Sequence, residues 1–160
     1  MTITHANEDV ARDMPVANSS SAVQSRHLII LYDGACGLCN DLVQFAIARD
    51  RTDRFRFLPL QTQLATAILT KHQADFPDTN TMYVESPGGQ LFARSDAAIA
   101  ILREFNGWWR FVAFALRIVP QSLRDWGYGL IARNRYRIFG QHESCRVPSE
   151  TDRHKFLDIH

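Results

Sequence analysis

The sequence predicts an α/β fold in which a β-α-β-α-β-β-α core is followed by a C-terminal helical extension. Two patterns predict it. Apolar or alternating runs that end at turn residues alternate along the chain with segments of helical periodicity. A Cys-x-x-Cys pair lies at the first junction between a predicted strand and a predicted helix. With 160 residues, of which 46% are hydrophobic, the chain is long enough for one domain with a sizeable core and too short for two. We therefore expect a single domain.

Apolar or alternating runs predict strands at residues 27–32, 55–58, 81–85 and 90–93. Apolar side chains at helical spacing predict core helices at residues 38–49, 61–72 and 96–105. Pro59 ends the second strand, because proline cannot donate to a backbone hydrogen-bond ladder. Gly88 and Gly89 predict the hairpin turn, since glycine readily adopts positive φ. Ser95 is the predicted N-cap of the last core helix.

Apolar residues at helical spacing continue past the core, stop at Pro120 and resume at Leu123, which predicts a helical extension packed on the core. We expect its large aromatic residues to be core residues rather than a binding platform. These residues are Trp108, Trp109, Phe111 and Trp126. The predicted organisation is a disordered N-terminal tail at residues 1–25, the core at 26–105, the extension at 106–148 and a C-terminal tail at 149–160.

Charge and cysteine content restrict the function classes. The formal net charge is +1, so the totals do not support nucleic-acid binding, which normally shows as a cationic excess. Three cysteines form an odd, sparse set that differs from the frameworks of small secreted domains and favours a reducing compartment. Residues 1–25 carry acidic side chains and no apolar run, so we expect a cytoplasmic protein without a secretory signal. The sequence contains no run of about 18 apolar residues, so it predicts no transmembrane helix.

The strongest chemical signal is the pair Cys36 and Cys39, which follows the first strand and an Asp-Gly turn. The first turn of a helix has unpaired N–H groups and the positive end of the helix dipole, so we expect a lowered pKa and an accessible, nucleophilic thiolate at Cys36. Side chains three residues apart on a helix are neighbours, which places Cys39 to resolve a mixed disulfide. Asp33 is either a proton acceptor for Cys39 or the residue that forms the turn.

With a right-handed crossover between the first two strands, this element order is the thioredoxin-like topology. The motif residues are Tyr32-Asp33-Gly34-x-Cys36-x-Leu38-Cys39, Phe57-Leu58-Pro59-Leu60-Gln61, Arg94-Ser95-Asp96-Ala97, Val119-Pro120, Arg124-Asp125 and Ala132-Arg133-Asn134-Arg135-Tyr136-Arg137-x-Phe139-Gly140, followed by Cys145. These motifs resemble the DCC family of thiol-disulfide oxidoreductases. The resemblance implies a thioredoxin-like fold and redox chemistry, with the family's Asp and two Cys at Asp33, Cys36 and Cys39.

The predicted function is thiol-disulfide exchange by Cys36 and Cys39 with a protein or small-molecule disulfide or dithiol. Asp33 is expected to assist proton transfer, and no bound cofactor is expected. Thioredoxin-like folds usually place a proline just before the third strand, whereas Pro77 lies a few residues too early. This difference favours a small disulfide or a dedicated partner as the substrate.

The sequence leaves two alternative functions open. The side chains of Cys36, Cys39, His142 and Cys145 are the ligand types of a structural zinc site. Arginines outnumber acidic residues between residues 103 and 137, so the extension is either a solvated basic stripe or a non-catalytic docking module for a membrane surface or an acidic partner. The sequence predicts no oligomeric state.

Overall fold

The computed structural model describes residues 26–74, 81–140 and 150–158. The strands are β1 at Leu28–Tyr32, β2 at Phe55–Pro59, β3 at Tyr83–Glu85 and β4 at Leu91–Ala93. The helices are α1 at Gly37–Arg49, α2 at Gln63–Lys71, α3 at Arg94–Glu104, α4 at Trp109–Ile118 and α5 at Gln121–Phe139, followed by a 3₁₀ helix at Glu150–Lys155. The predicted order of the core elements is confirmed, and so is a C-terminal helical extension.

The strands form one sheet in the order β2-β1-β3-β4. β1 is parallel to β2 and antiparallel to β3, and β4 pairs antiparallel with β3. Every residue of β1 is buried, as expected for a central strand whose two faces are covered by helices. A parallel pair needs a crossover connection, and α1 supplies it between β1 and β2. This thioredoxin-like architecture places the carboxyl end of β1 next to the N-terminus of α1.

Side chains of β1 alternate between two apolar clusters on the two faces of the sheet. Ile30 belongs to the cluster that includes residues of α1 and α3, and Leu31 belongs to the cluster that includes residues of α2. The predicted C-terminal tail also contributes to the core, because the ring of Phe156 packs on Phe57 with 5.4 Å between centroids. The few apolar side chains of this short, mostly polar segment gave no periodicity from which this contact was predictable.

The last core helix begins earlier than predicted, and Ser95 is not its N-cap. α3 begins at Arg94, Ala93 occupies the cap position, and no side chain caps the helix. The Ser95 hydroxyl instead donates a hydrogen bond to Asp125 of α5, and Arg124 donates to the Ser95 hydroxyl at 3.2 Å. Ser95 therefore connects the core to the extension through hydrogen bonds. This tertiary contact overrides the preference of a serine side chain for capping a helix.

The extension packs on the core along one side. Trp109 lies edge-on against Phe45, with 5.3 Å between ring centroids. The prediction of a core position is wrong for Trp108, Phe111 and Trp126, which are 63%, 76% and 64% exposed. Successive side chains of a helix point about 100° apart, so neighbouring tryptophans cannot both face the core.

The predicted N-terminal tail at residues 1–25 and Pro77 both lie outside the described residues. Within the described part of the chain, no helix combines the length and the apolar character that crossing a bilayer requires.

Candidate active site

The two cysteines stand at the N-terminus of α1, directly after the turn that follows β1. Cys36 occupies the N-cap position, and its Sγ accepts the backbone N–H of Cys39 at 3.4 Å. The Cys36 N–H donates to the Asp33 carbonyl at 3.2 Å, which closes the turn. N–H groups at the start of a helix are donors of the kind that a thiolate accepts. The expected closeness of the two cysteines is confirmed.

Access to the two sulfurs differs from the sequence-based expectation. Cys36 is fully buried, whereas Cys39 is partly exposed. Cys36 adjoins the C-terminal end of α5, where the Gly140 carbonyl accepts the N–H of Gly37 at 3.4 Å. An accessible leading cysteine was therefore the wrong expectation for this conformation, because a helix that is distant in the sequence docks against the turn.

The protonation of Cys39 is controlled by burial and by its neighbour. Burial raises the pKa of the Cys39 thiol to about 12, and Cys36 adds to the rise through a hydrogen bond and through its charge. The positive charge of Arg135 and the backbone N–H of Asp33 act in the opposite direction and lower this pKa. Cys39 is therefore a thiol at neutral pH.

The Asp33 carboxylate organises the residues around the cysteines. Its Oδ1 accepts the backbone N–H of Ala35 at 3.1 Å and the Gln61 amide at 2.8 Å. Its Oδ2 accepts the Arg135 guanidinium at 2.9 Å and the Tyr136 hydroxyl. The contact with Ala35 is the turn-forming role that the sequence suggested, whereas proton transfer by Asp33 stays a prediction.

Arg135 and Tyr136 are the residues of α5 whose side chains contact Asp33. The side chains of Asp33 and Arg135 are 3% and 4% exposed, so their ion pair is buried. A buried carboxylate is costly unless it is paired with a cation and hydrogen-bonded, and the Asp33 carboxylate has four donors. Burial and the hydrogen bond to Asp33 raise the pKa of Tyr136, so that its hydroxyl keeps its proton and donates.

An apolar cavity of about 210 Å³ lies beside Cys39, between α1, α3 and the sheet. Its wall includes Leu42, Met82 and Ala98, and no charged side chain lines it. Leu42 is 46% exposed, which marks the side on which the cavity opens. Cys39 therefore borders an apolar space on this side.

Two of the four residues of the alternative zinc site lie outside the described part of the chain. His142 and Cys145 belong to residues 141–149, which the structure does not describe. Among residues 26–74, 81–140 and 150–158, no three His, Cys, Asp or Glu side chains form a group that could hold a metal ion.

Comparison with known proteins decides the family. The family described as DCC1-like thiol-disulfide oxidoreductase matches residues 30–141, which include the cysteines and all of α5. The chain belongs to the DCC1-like family. It is 39% identical over 131 residues to the uncharacterized protein YuxK of Bacillus subtilis, and the alignment covers 81% of this chain and 93% of that protein. It is 31% identical over 129 residues to a chloroplastic DCC family protein of Arabidopsis thaliana, covering 81% of this chain and 74% of that protein. No solved structure is significantly similar to the chain.

In this DCC1-like protein, sequence reasoning missed three residues of the site. Gln61, Arg135 and Tyr136 all hydrogen-bond to Asp33, yet none was predicted as a site residue. Their only signal was membership of the motifs that resemble the DCC family. Arginine and tyrosine in a basic helix otherwise predict a solvated surface, so the motif alone distinguished them.

Proposed function

We propose that this DCC1-like protein is a thiol-disulfide oxidoreductase in which Cys36 attacks a substrate disulfide and Cys39 resolves the mixed disulfide. The observation that carries the proposal is the hydrogen bond from the Cys39 N–H to the Cys36 Sγ, at 3.4 Å and at the N-cap of α1. Donors at a helix N-terminus favour the anion on the sulfur that has to attack. Membership of the DCC1-like family supports the same chemistry.

The first step forms one bond between sulfurs and breaks another. The Cys36 thiolate attacks one sulfur of a disulfide RS–SR′, which gives a mixed disulfide between Cys36 and R and releases R′S⁻. Because Cys36 is buried beside Gly140, the C-terminal end of α5 has to move before a substrate reaches the sulfur.

The second step regenerates a free substrate thiol. Cys39 loses its proton and attacks the Cys36 Sγ, which forms the Cys36–Cys39 disulfide and releases RS⁻. The substrate has then gained the two electrons that the cysteine pair has lost, and the reverse sequence oxidises a dithiol. Keeping Cys39 protonated before this step, as its raised pKa does, prevents a second anion from forming next to Cys36.

Asp33 contributes to the second step through Arg135. The positive charge of Arg135 lowers the pKa of Cys39 and so favours the anion that resolves the mixed disulfide. The Asp33 carboxylate holds this guanidinium in place at 2.9 Å. In the proposal Asp33 is therefore a positioning residue, and its own transfer of the Cys39 proton is the finer alternative.

The test is a redox titration of the full chain in glutathione buffers, in which free thiols are alkylated and counted by mass. The expected result is one reversible two-electron transition between a Cys36–Cys39 disulfide and the dithiol. Cys36→Ser and Cys39→Ser should each abolish it, and the matched variant Cys145→Ser should keep it.

Two outcomes would overturn the proposal. One is a pair that stays reduced in fully oxidised glutathione buffer. The other is stoichiometric zinc in protein purified without chelator that is lost in Cys145→Ser, which would support the structural zinc site instead.

A further inference from the structure

The outward side of α4 is apolar, and its large side chains are mostly exposed. Phe111, Phe114 and Ile118 are 76%, 67% and 71% exposed. Their spacing of three and four residues places them on one face of the helix. The opposite face of α4 is the one that packs, through the buried Ala113 and through Trp109 against Phe45. A helix with apolar residues on both its inner and outer sides is expected where the outer side has its own partner.

The same feature occurs at the start of α5. Leu123, Trp126 and Leu130 are spaced by three and four residues and are 57%, 64% and 47% exposed. Single exposed apolar side chains are ordinary on protein surfaces, whereas stripes of them on consecutive helices indicate a contact surface.

A cationic cleft adjoins the apolar face of α4. The cleft has a volume of about 650 Å³ and is lined by Phe114 together with Arg54, Arg103, Arg110 and Arg117. Arg54 forms an ion pair with Glu104, which also lines the cleft, at 3.1 Å. The other three arginines have no carboxylate partner among the described residues. Arg110 and Arg117 are seven residues apart, so both flank the apolar stripe on the same side of α4.

We propose that α4, with the cleft beside it, docks on the surface of a bilayer that contains anionic phospholipids. Phe111, Phe114 and Ile118 enter the boundary between headgroups and acyl chains, and the unpaired arginines bind phosphate-bearing headgroups. Trp108 is 63% exposed at the start of the same helix, and tryptophan is enriched at the level of lipid headgroups.

The positive charge beside α4 favours an anionic bilayer over a second copy of the chain as the partner of this surface. Pairing two copies through α4 would bring their unpaired arginines together, whereas an anionic bilayer supplies the complementary charge. The contact would be peripheral, because no described helix has the length and apolar character needed to span the bilayer.

The experiment is co-sedimentation of the reduced full chain with vesicles of phosphatidylcholine alone or mixed with phosphatidylserine. The protein should bind the anionic vesicles, bind the neutral ones weakly, and release as salt rises. Arg110→Gln and Arg117→Gln should each lower the partition coefficient about fivefold. Phe111→Ser should lower it at least about tenfold, since a buried phenylalanine side chain contributes strongly to partitioning.

The matched control is Arg153→Gln, which removes one exposed arginine that does not line the cleft and should leave binding unchanged. Equal binding to neutral and anionic vesicles would overturn the proposal, as would an equal loss in Arg153→Gln and Arg117→Gln. So would a dimer in solution that Phe111→Ser dissociates, together with no vesicle binding, because the partner would then be a second copy. A cooperative urea unfolding transition serves as the check that each variant is folded.

Discussion

Phe57 in the core and Phe111 in the helical extension are chemically identical, yet the first is fully buried and the second is 76% exposed. The difference holds along the elements that carry them: every residue of β2 is buried, whereas in α4 Ala113 is the buried residue. A strand between two helical layers has both faces covered, but a helix laid on the outside of a domain has only one covered face.

The two sides of the extension therefore serve different purposes. The inner side of α5 brings Arg135 and Tyr136 to the Asp33 carboxylate and so completes the surroundings of the cysteines. The outer side of α4 contributes nothing to that site. Stability should depend on the core and on the inner side, whereas membrane binding should depend on the outer side.

Truncating the two phenylalanines gives the largest contrast. Phe57→Ala should lower the free energy of unfolding by about 3–5 kcal/mol, because it leaves a cavity in a packed core. Phe111→Ala should change it by no more than about 0.5 kcal/mol. Urea unfolding of the reduced protein measures both, and similar losses for the two variants would show that the outer side of α4 is covered in solution.

The buried arginine of α5 should matter much more than its exposed neighbour. Arg135→Gln should cost about 3 kcal/mol, because it leaves the Asp33 carboxylate buried without its cation. Arg133→Gln, on the exposed side, is the matched control and should cost little. The double variant Asp33→Asn with Arg135→Gln should recover part of this loss of stability. A loss in the double variant that equals the sum of the losses in the two single variants would contradict the ion pair.

The raised pKa of Cys39 predicts a loss of stability in alkali. In the unfolded chain this thiol ionises near pH 9.0, whereas in the folded protein it keeps its proton until about pH 12. The folded state therefore binds more protons in this window, and stability should fall with rising pH, by up to about 1.4 kcal/mol per pH unit. Urea unfolding near pH 8 and near pH 10 should show a smaller decline in Cys39→Ala than in Cys145→Ala.

The smallest expected effect concerns the docking of α5 beside Cys36. Tyr136→Phe removes the hydroxyl that donates to Asp33, which should cost about 1 kcal/mol. The end of α5 should then open more often, so that alkylation of Cys36 becomes about fivefold faster. Tyr128→Phe is the matched control, because its hydroxyl accepts the Met82 N–H elsewhere on α5. Equal acceleration in both variants would show that α5 opens as a whole rather than at its end.

Local pattern was sufficient for much of this protein. The order of strands and helices from Leu28 to Glu104 followed from periodicity and turn residues, because those signals lie within a few residues of one another. The placement of Cys36 at the start of a helix followed in the same way from the Asp-Gly turn and the helix after it. Ser95 was the exception, since its hydroxyl found a partner on α5 instead of capping α3.

The partners of Asp33 could not be predicted by spacing. Arg135 is 102 residues away in the sequence, and nothing in a basic helix shows which arginine turns inward. Similarly, periodicity located apolar residues on α4 but could not show which of them face the core, and the core positions expected for Trp108 and Phe111 were wrong. Both questions depend on how a helix is rotated against the domain, which is a property of packing.

The amino-acid order alone determined that two cysteines meet at the start of a helix behind a buried strand, because backbone geometry and side-chain period act over single turns. Only the folded chain decided that Cys36 is covered, that Asp33 is paired with a cation, and that three apolar residues of α4 face outward. Those outcomes depend on which surfaces remain once the layers have packed, and burial is a property of the whole molecule rather than of any segment.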